Sequence, residues 1–408
     1  MSVIENEKVA AHDGKQKIDK EFKTGRVVAV TFGHLTHDTF TAFLSPLLPV
    51  LIQKLSMTRA AAGTLMLFVQ GPSLIQPLVG RLADRVNLRF IVILAPAITA
   101  TAMSLIGIAP TYAWLALFLT IVGISSAFFH AVGPVLAGNL SGNRLGKGMS
   151  IWMVGGELGR MFGPLLIVSV VTVVSLERSI WIMGVGWLAS IVLFFLLWNV
   201  EIKKPAPSAA VQDWRAALRE MSPIMIPVVS VVLTRSLMIT AMEVFLPTFL
   251  TEIGDDLWLA GAALTVFEAA MVIGTFWGGL LSDHFGRRKL LLVSMIGVPI
   301  LMLAFLQSSS WLRLVLLFGI GLVTGPTTPV LLAVVQESFP ENRSFANGLY
   351  MASSFIIRSL ASVLLGAFGD WLGLGTAFTI SAIMVVFGIP FLCKLPKKPG
   401  VIGNDSAA

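Results

Sequence analysis

The chain has 408 residues, 56% of them hydrophobic and 12% charged, with a mean hydropathy of +0.85. Ordinary soluble domains carry about 25% charged residues, and a water-facing surface this apolar would be one large adhesive patch, so the bilayer is the expected solvent. The formal charge of +7 is spread along loops, which gives no sign of a nucleic-acid partner, and the single cysteine, Cys393, excludes an internal disulfide framework and a Cys-rich zinc site.

Residues 1–26 are polar and Lys-rich and lead into a full-length apolar segment. They read as a cytoplasmic tail before a retained first span, not as a cleaved signal. Apolar blocks of about 20 residues, enough helix to cross ~30 Å of hydrocarbon, predict spans at 27–53, 59–82, 88–108, 112–138, 147–174 and 179–199. A polar stretch, 200–222, follows as a linker, and its segment Gln212 to Arg219 has the pattern of a short amphipathic helix lying on the membrane surface. Six more spans are expected at 223–251, 257–281, 288–307, 311–336, 343–366 and 371–393, before a tail at 394–408. The domains are therefore an N-terminal bundle at 27–199 and a C-terminal bundle at 223–393. Of 29 Lys and Arg, 22 fall in the tails and alternate loops of one side, against Lys54, Arg59, Arg178 and Arg313 opposite. The positive-inside rule puts both termini in the cytoplasm of a cell (inner) membrane protein.

The two halves share landmarks. Gly80 to Asp84 recurs 199 residues later as Gly279 to Asp283, Asn143-Arg144 as Asn342-Arg343 at the same offset, and Leu48-Pro49 as Leu246-Pro247 at 198. Two six-helix pseudo-repeats are expected, with a substrate site between them at the bilayer midplane. The loop Gly279 to Lys289, with Gly286, Arg287 and Arg288, resembles the hallmark cytoplasmic loop of the major facilitator superfamily. Gly80 to Arg89 is a degenerate copy with Asn87 where that family has Gly. The resemblance implies an all-α membrane fold of twelve transmembrane helices, and a cytoplasmic gate at Asp84, Arg85, Asp283, Arg287 and Arg288. Within the superfamily the chain is similar to fosmidomycin-resistance-type exporters. The likeness rests on His34 to Asp38, Ser45 to Pro49, Gln76-Pro77-Leu78, Phe129-His130, and Val154 through Gly163 to Leu166. It departs from them at Ala131, where Pro often follows the Phe-His pair, and in the charges Glu157 and Arg160.

A charge inside a span is costly unless it meets a cavity or a partner. The spans hold the acids Asp38, Glu157, Glu243 and Glu268, the bases Arg160, Arg235 and Arg358, and His34, His37 and His130. In the first span His34, Asp38, Thr41 and Ser45 make one helical stripe that should face water, although the histidines could equally satisfy polar groups in a packed bundle. In the fifth, Gly155, Gly159 and Gly163, with Pro164, form a packing face, while Glu157 and Arg160 point the other way. That segment also resembles the antiporter signature of the superfamily. Three arginines near one cavity suit an anionic or zwitterionic substrate. The alternative, that each is neutralised by Glu157, Glu243 or Glu268, stands beside it. Four acids against three arginines leave a site for a proton, with Asp38, His34, Glu268 and Glu157 as coupling candidates and His37, Thr41, His130, Arg160, Arg235, Glu243 and Arg358 as cavity candidates.

The expected activity is proton-coupled export of a small organic molecule by alternating access. The alternative is a symporter or uniporter importing an organic anion. No nucleotide-binding loop supports ATP-driven pumping, and no His-Glu-x-x-His pattern supports an intramembrane metalloenzyme built on the histidines and Asp38. The expected partners are the small-molecule substrate, protons and lipid, with no enzyme activity, cofactor or metal, and a monomer as the working unit.

Overall fold

The structure is a computed structural model that describes residues 21–83, 88–200, 214–309, 311–339 and 343–396. Every regular element among them is helical. Eleven helices are long and apolar enough to cross a membrane: Thr24–Leu55, Arg89–Ile108, Tyr112–Leu140, Leu145–Val174, Arg178–Leu197, Arg215–Glu252, Leu257–Gly278, Arg287–Gln307, Trp311–Ser338, Phe345–Leu372 and Leu374–Leu392. They are spans 1 and 3–12 of the fold. Span 2 completes the set in three pieces, Arg59–Gln70, a 3-10 turn Gly71–Ile75, and Gln76–Ala83. Gly71 and Pro72 at the turn explain the break, because proline gives no N–H to the helical ladder. The expected count of twelve spans holds.

Distortions fall at matching places in the halves. Span 1 loosens between Thr41 and Leu44, where Pro46 has no N–H to offer the Ala42 carbonyl. Span 7 widens into a π turn at Ala241–Phe245, just before Pro247. Span 7 also begins earlier than expected. The helix is continuous from Trp214 to Thr240, so the segment assigned to a separate surface helix is its first turns where described, and residues 201–213 lie outside the described residues. Ala217 and Met221 are buried, which shows the apolar face of span 7 running back through that segment. Between spans 8 and 9 the chain turns at Gly286 with φ 94°, a region that only glycine enters without strain.

Helix packing repeats with the halves. Span 1 lies on spans 3, 5 and 6, span 2 on span 4, and span 3 on spans 4 and 6. In the second half span 7 packs on spans 11 and 12, span 8 on span 10, and span 9 on spans 10 and 12. Gly155, Gly159 and Gly163 bring span 5 against the span 1 carbonyls of Thr31, Leu35 and Thr39. The halves meet through spans 2 and 11, 5 and 8, and 1 and 7. At the first of these seams a methyl group on Gly63 would overlap the backbone of Ser362, and Trp258 donates its indole N–H to Ser169 Oγ (3.1 Å) across the second.

Candidate functional site

Two groups of polar side chains occupy the interior. The first is built on span 1, whose helical spacing places His34 and Asp38 one turn apart. His34 Nε2 stands 3.3 Å from Asp38 Oδ2, and His130 Nε2, from span 4, stands 3.4 Å from Oδ1. His34 Nδ1 lies 2.8 Å from the Trp152 carbonyl, and the Trp152 ring stacks on the imidazole at 3.8 Å. A carbonyl can only accept, so Nδ1 carries the hydrogen. His37 is fully buried, stacked on Phe129, with Nδ1 3.0 Å from the Thr99 hydroxyl, which itself donates to Ser125 Oγ. His37 Nε2 is buried without a partner, and Asp38 Oδ1 makes no hydrogen bond. Thr41 turns its hydroxyl to the Asp38 carbonyl (2.9 Å) rather than to the carboxylate. His34, Asp38 and His130 present donor atoms within 4.8 Å of one another, the grouping among the described residues that could hold a metal ion.

The second group spans the seam. Arg160 is paired with Glu157 one turn back on span 5, and Arg358 of span 11 with Glu243 in the π turn of span 7. Glu268, on span 8, is 8% exposed and lies within electrostatic range of Arg160, Glu243, Glu157 and Arg358, members of both halves. Arg235, 7% exposed, lies within range of Tyr350, Arg358 and Glu243. Among the described residues neither Glu268 nor Arg235 forms a hydrogen bond or ion pair. The structure thus pairs two arginines with glutamates, as one of the two open readings has it, and leaves the third free.

Of the gate residues, Asp84 and Arg85 lie outside the described residues. Arg287 pairs with Asp283 (2.6 Å) and with Glu337 of span 10 (2.8 Å), so it ties the span 8–9 turn to its own half; no contact of Arg288 stands out. Sequence reasoning missed a contact at the other end of the bundle. Arg59, at the start of span 2, reaches Glu252 of span 7 (2.7 Å) and Asp370 of span 11 (3.5 Å), and the Asp370 carboxylate also accepts the backbone N–H groups of Arg59 and Ala60 (2.8 Å each). The sole trace of this in the sequence is that Arg59 is one of few basic residues on its side. Further along the same seam Ser359 Oγ donates to Gln70 Oε1 (3.4 Å).

Two six-helix halves of membrane length, joined across an interior that carries ionisable residues from both, define a polytopic membrane transporter, a fold and family that are not those of enzymes. The sequence profile of the Major Facilitator Superfamily matches residues 30–274 and 244–408, and the chain belongs to that superfamily. It is 24% identical over 371 residues to the fosmidomycin resistance protein of Escherichia coli (strain K12), covering 90% of this chain and 91% of that one. An uncharacterized MFS-type transporter of Bacillus subtilis (strain 168), YfnC, is 24% identical over 393 residues, covering 93% and 96%. The fold is similar to that of a bacterial homolog of the human lysosomal transporter Spinster in an inward-facing, unoccupied conformation, with a TM-score of 0.75, 14% identity, and 91% and 96% of the two chains covered. The expected family resemblance is borne out.

Proposed function

We propose that this protein exports a small organic molecule, anionic or zwitterionic, against the entry of protons, with Glu268 as the coupling acid. The observation that carries this reading is the pairing pattern. Glu157 and Glu243 each hold an arginine and Asp38 is flanked by two histidines, whereas Glu268 stands free between the pairs of the two halves. An unpaired carboxylate in a low-dielectric setting takes up a proton readily, because burial penalises the charged form. Arg235, also free, offers the planar fork that suits a carboxylate or phosphate group. Protonation of Glu268 removes a negative charge beside Arg160 and Arg358 and so changes the field a substrate meets. Each entering proton supplies about 1.4 kcal/mol per pH unit and about 2.3 kcal/mol per 100 mV. Asp38, His34 and Glu157 remain secondary coupling candidates, and Thr41, His37 and His130 belong to the lining of the same half.

Export is supported by the name of the fosmidomycin resistance protein, and by the antiporter-like segment Gly159 to Pro164. The contacts at the Arg59 end, taken with the positive-inside orientation, support the reading of a state closed on the side away from the termini. The test begins with a growth-protection screen over an antibiotic panel that includes fosmidomycin, followed by reconstitution with a protected compound. Glu268→Gln should retain exchange of labelled for unlabelled compound yet lose accumulation driven by a pH gradient. Accumulation at the wild-type rate in that variant would refute the assignment.

A further inference from the structure

The assembly of His34, Asp38 and His130 has only a secondary place in the coupling scheme above, which rests on Glu268. We propose that it is a binding site for a divalent transition-metal ion of the zinc type. The argument starts from the geometry of His34. Its Nδ1 is committed to the Trp152 carbonyl at 2.8 Å, which aims Nε2 at Asp38 Oδ2, 3.3 Å away. A positive centre belongs between those two atoms, and a metal ion supplies one as well as a proton does. The same carboxylate offers its other oxygen, which makes no hydrogen bond, to His130 Nε2 at 3.4 Å. With metal–donor bonds of about 2.0–2.2 Å, tetrahedral donors stand about 3.4 Å apart. Both measured separations match that edge. All three donor atoms lie within 4.8 Å of one another, and the half-buried His130 is the most exposed of them.

Three further features are those of a built site. Metal-bound histidines as a rule give their second N–H to a carbonyl or carboxylate, which fixes the tautomer and aims the ring, and the Trp152 carbonyl does this for His34. Stacking on Trp152 holds the ring plane. Span 5 also presents Gly156 to the group, where a methyl would overlap His34 Nε2 and Asp38 Oδ2. Two imidazoles and one carboxylate are a donor set of the zinc type. The ion ties span 1 to span 4 within one half, so it stiffens that half without locking the seam. This goes beyond the sequence expectation, which gave the chain no metal, and it stands apart from the role of Glu268.

The test uses purified full-length protein with its affinity tag removed, stripped with a chelator and titrated with ZnCl2 by calorimetry and with CoCl2 by visible absorption. One ion per chain should bind, with the intense bands of four-coordinate cobalt. His130→Gln and Gly156→Ala should each weaken binding at least about tenfold, while His284→Gln, at the exposed end of span 8, should leave it unchanged. If the wild-type protein binds neither ion, the group holds nothing heavier than a proton and the proposal falls. It also falls if the stripped wild type and the His130→Gln and Gly156→Ala proteins bind equally, since the ion then sits elsewhere.

Discussion

Arg235 and Arg358 show how differently two arginines in neighbouring spans are placed. Arg358 is matched to Glu243, 115 positions away, so removing either leaves a charge stranded in a half-dry interior. Arg358→Ala should therefore lower the melting temperature of the detergent-purified protein more than the double variant Arg358→Ala/Glu243→Ala does, a non-additivity that a thermal-shift series would read directly. Arg235 has no such partner, and its loss should be felt by the substrate instead. A charge-assisted hydrogen bond is worth about 1.5–3 kcal/mol, so Arg235→Ala should weaken binding of an anionic compound by about tenfold or more, with little effect on a neutral one, in a competition assay. The presence of these side chains was legible from sequence because a charge in an apolar block is costly and conspicuous. Their partners were not. That Glu243 neutralises Arg358 depends on how spans 7 and 11 meet within the C-terminal half, and helical spacing within one span, which did expose His34 with Asp38 and Glu157 with Arg160, is silent about that.

Among the helices, spans 2 and 11 carry the closest approach between halves. Gly63 lets the Ser362 backbone come within reach of its own, so Gly63→Leu should push the two spans apart. The expected result is faster labelling, by a membrane-impermeant thiol reagent, of a cysteine introduced one turn deeper in span 2, with wild-type labelling at the other end. Equal labelling rates would mean that the seam does not seal the interior there. Apart from the start of span 7, the position of the spans followed from hydropathy within a few residues, since length and apolarity are what the bilayer selects. Their internal breaks followed less well. Proline marks where a ladder is interrupted, as at Pro72 and Pro247, but whether the chain answers with a 3-10 turn, a π turn or a loosened segment depends on what packs beside it. The linker shows the same limit, since Trp214 to Arg219 has an amphipathic pattern that fits a surface helix and the first turns of a span equally well.

For the molecule as a whole, the two ends are held by different devices. At one, Arg287 binds Asp283 and Glu337 inside a single half; at the other, Arg59 bridges to Glu252 and Asp370 of the opposite half. The repeat was visible in sequence because both copies keep their landmark loops at one offset. The Arg59 bridge was not, because it has no counterpart motif and its members lie 193 and 311 positions apart. Exposed ion pairs are individually weak, about 0–1 kcal/mol. Asp370→Asn should accordingly bias rather than abolish the alternation, raising the population open at the Arg59 end by a few-fold, as distance distributions between spin labels on the tips of spans 2 and 11 at that end would register.

The carboxylate of Asp370 does more than attract a guanidinium, since it also occupies the N–H groups of Arg59 and Ala60 at the first turn of span 2. Parting the halves at that end strips two peptide groups of their acceptor and hands them to water. Those amide hydrogens should then exchange with deuterium quickly in any population open to that side and slowly in the closed one. Mass spectrometry of a single short peptide, with no probe attached, would thus count how often the transporter opens at that end.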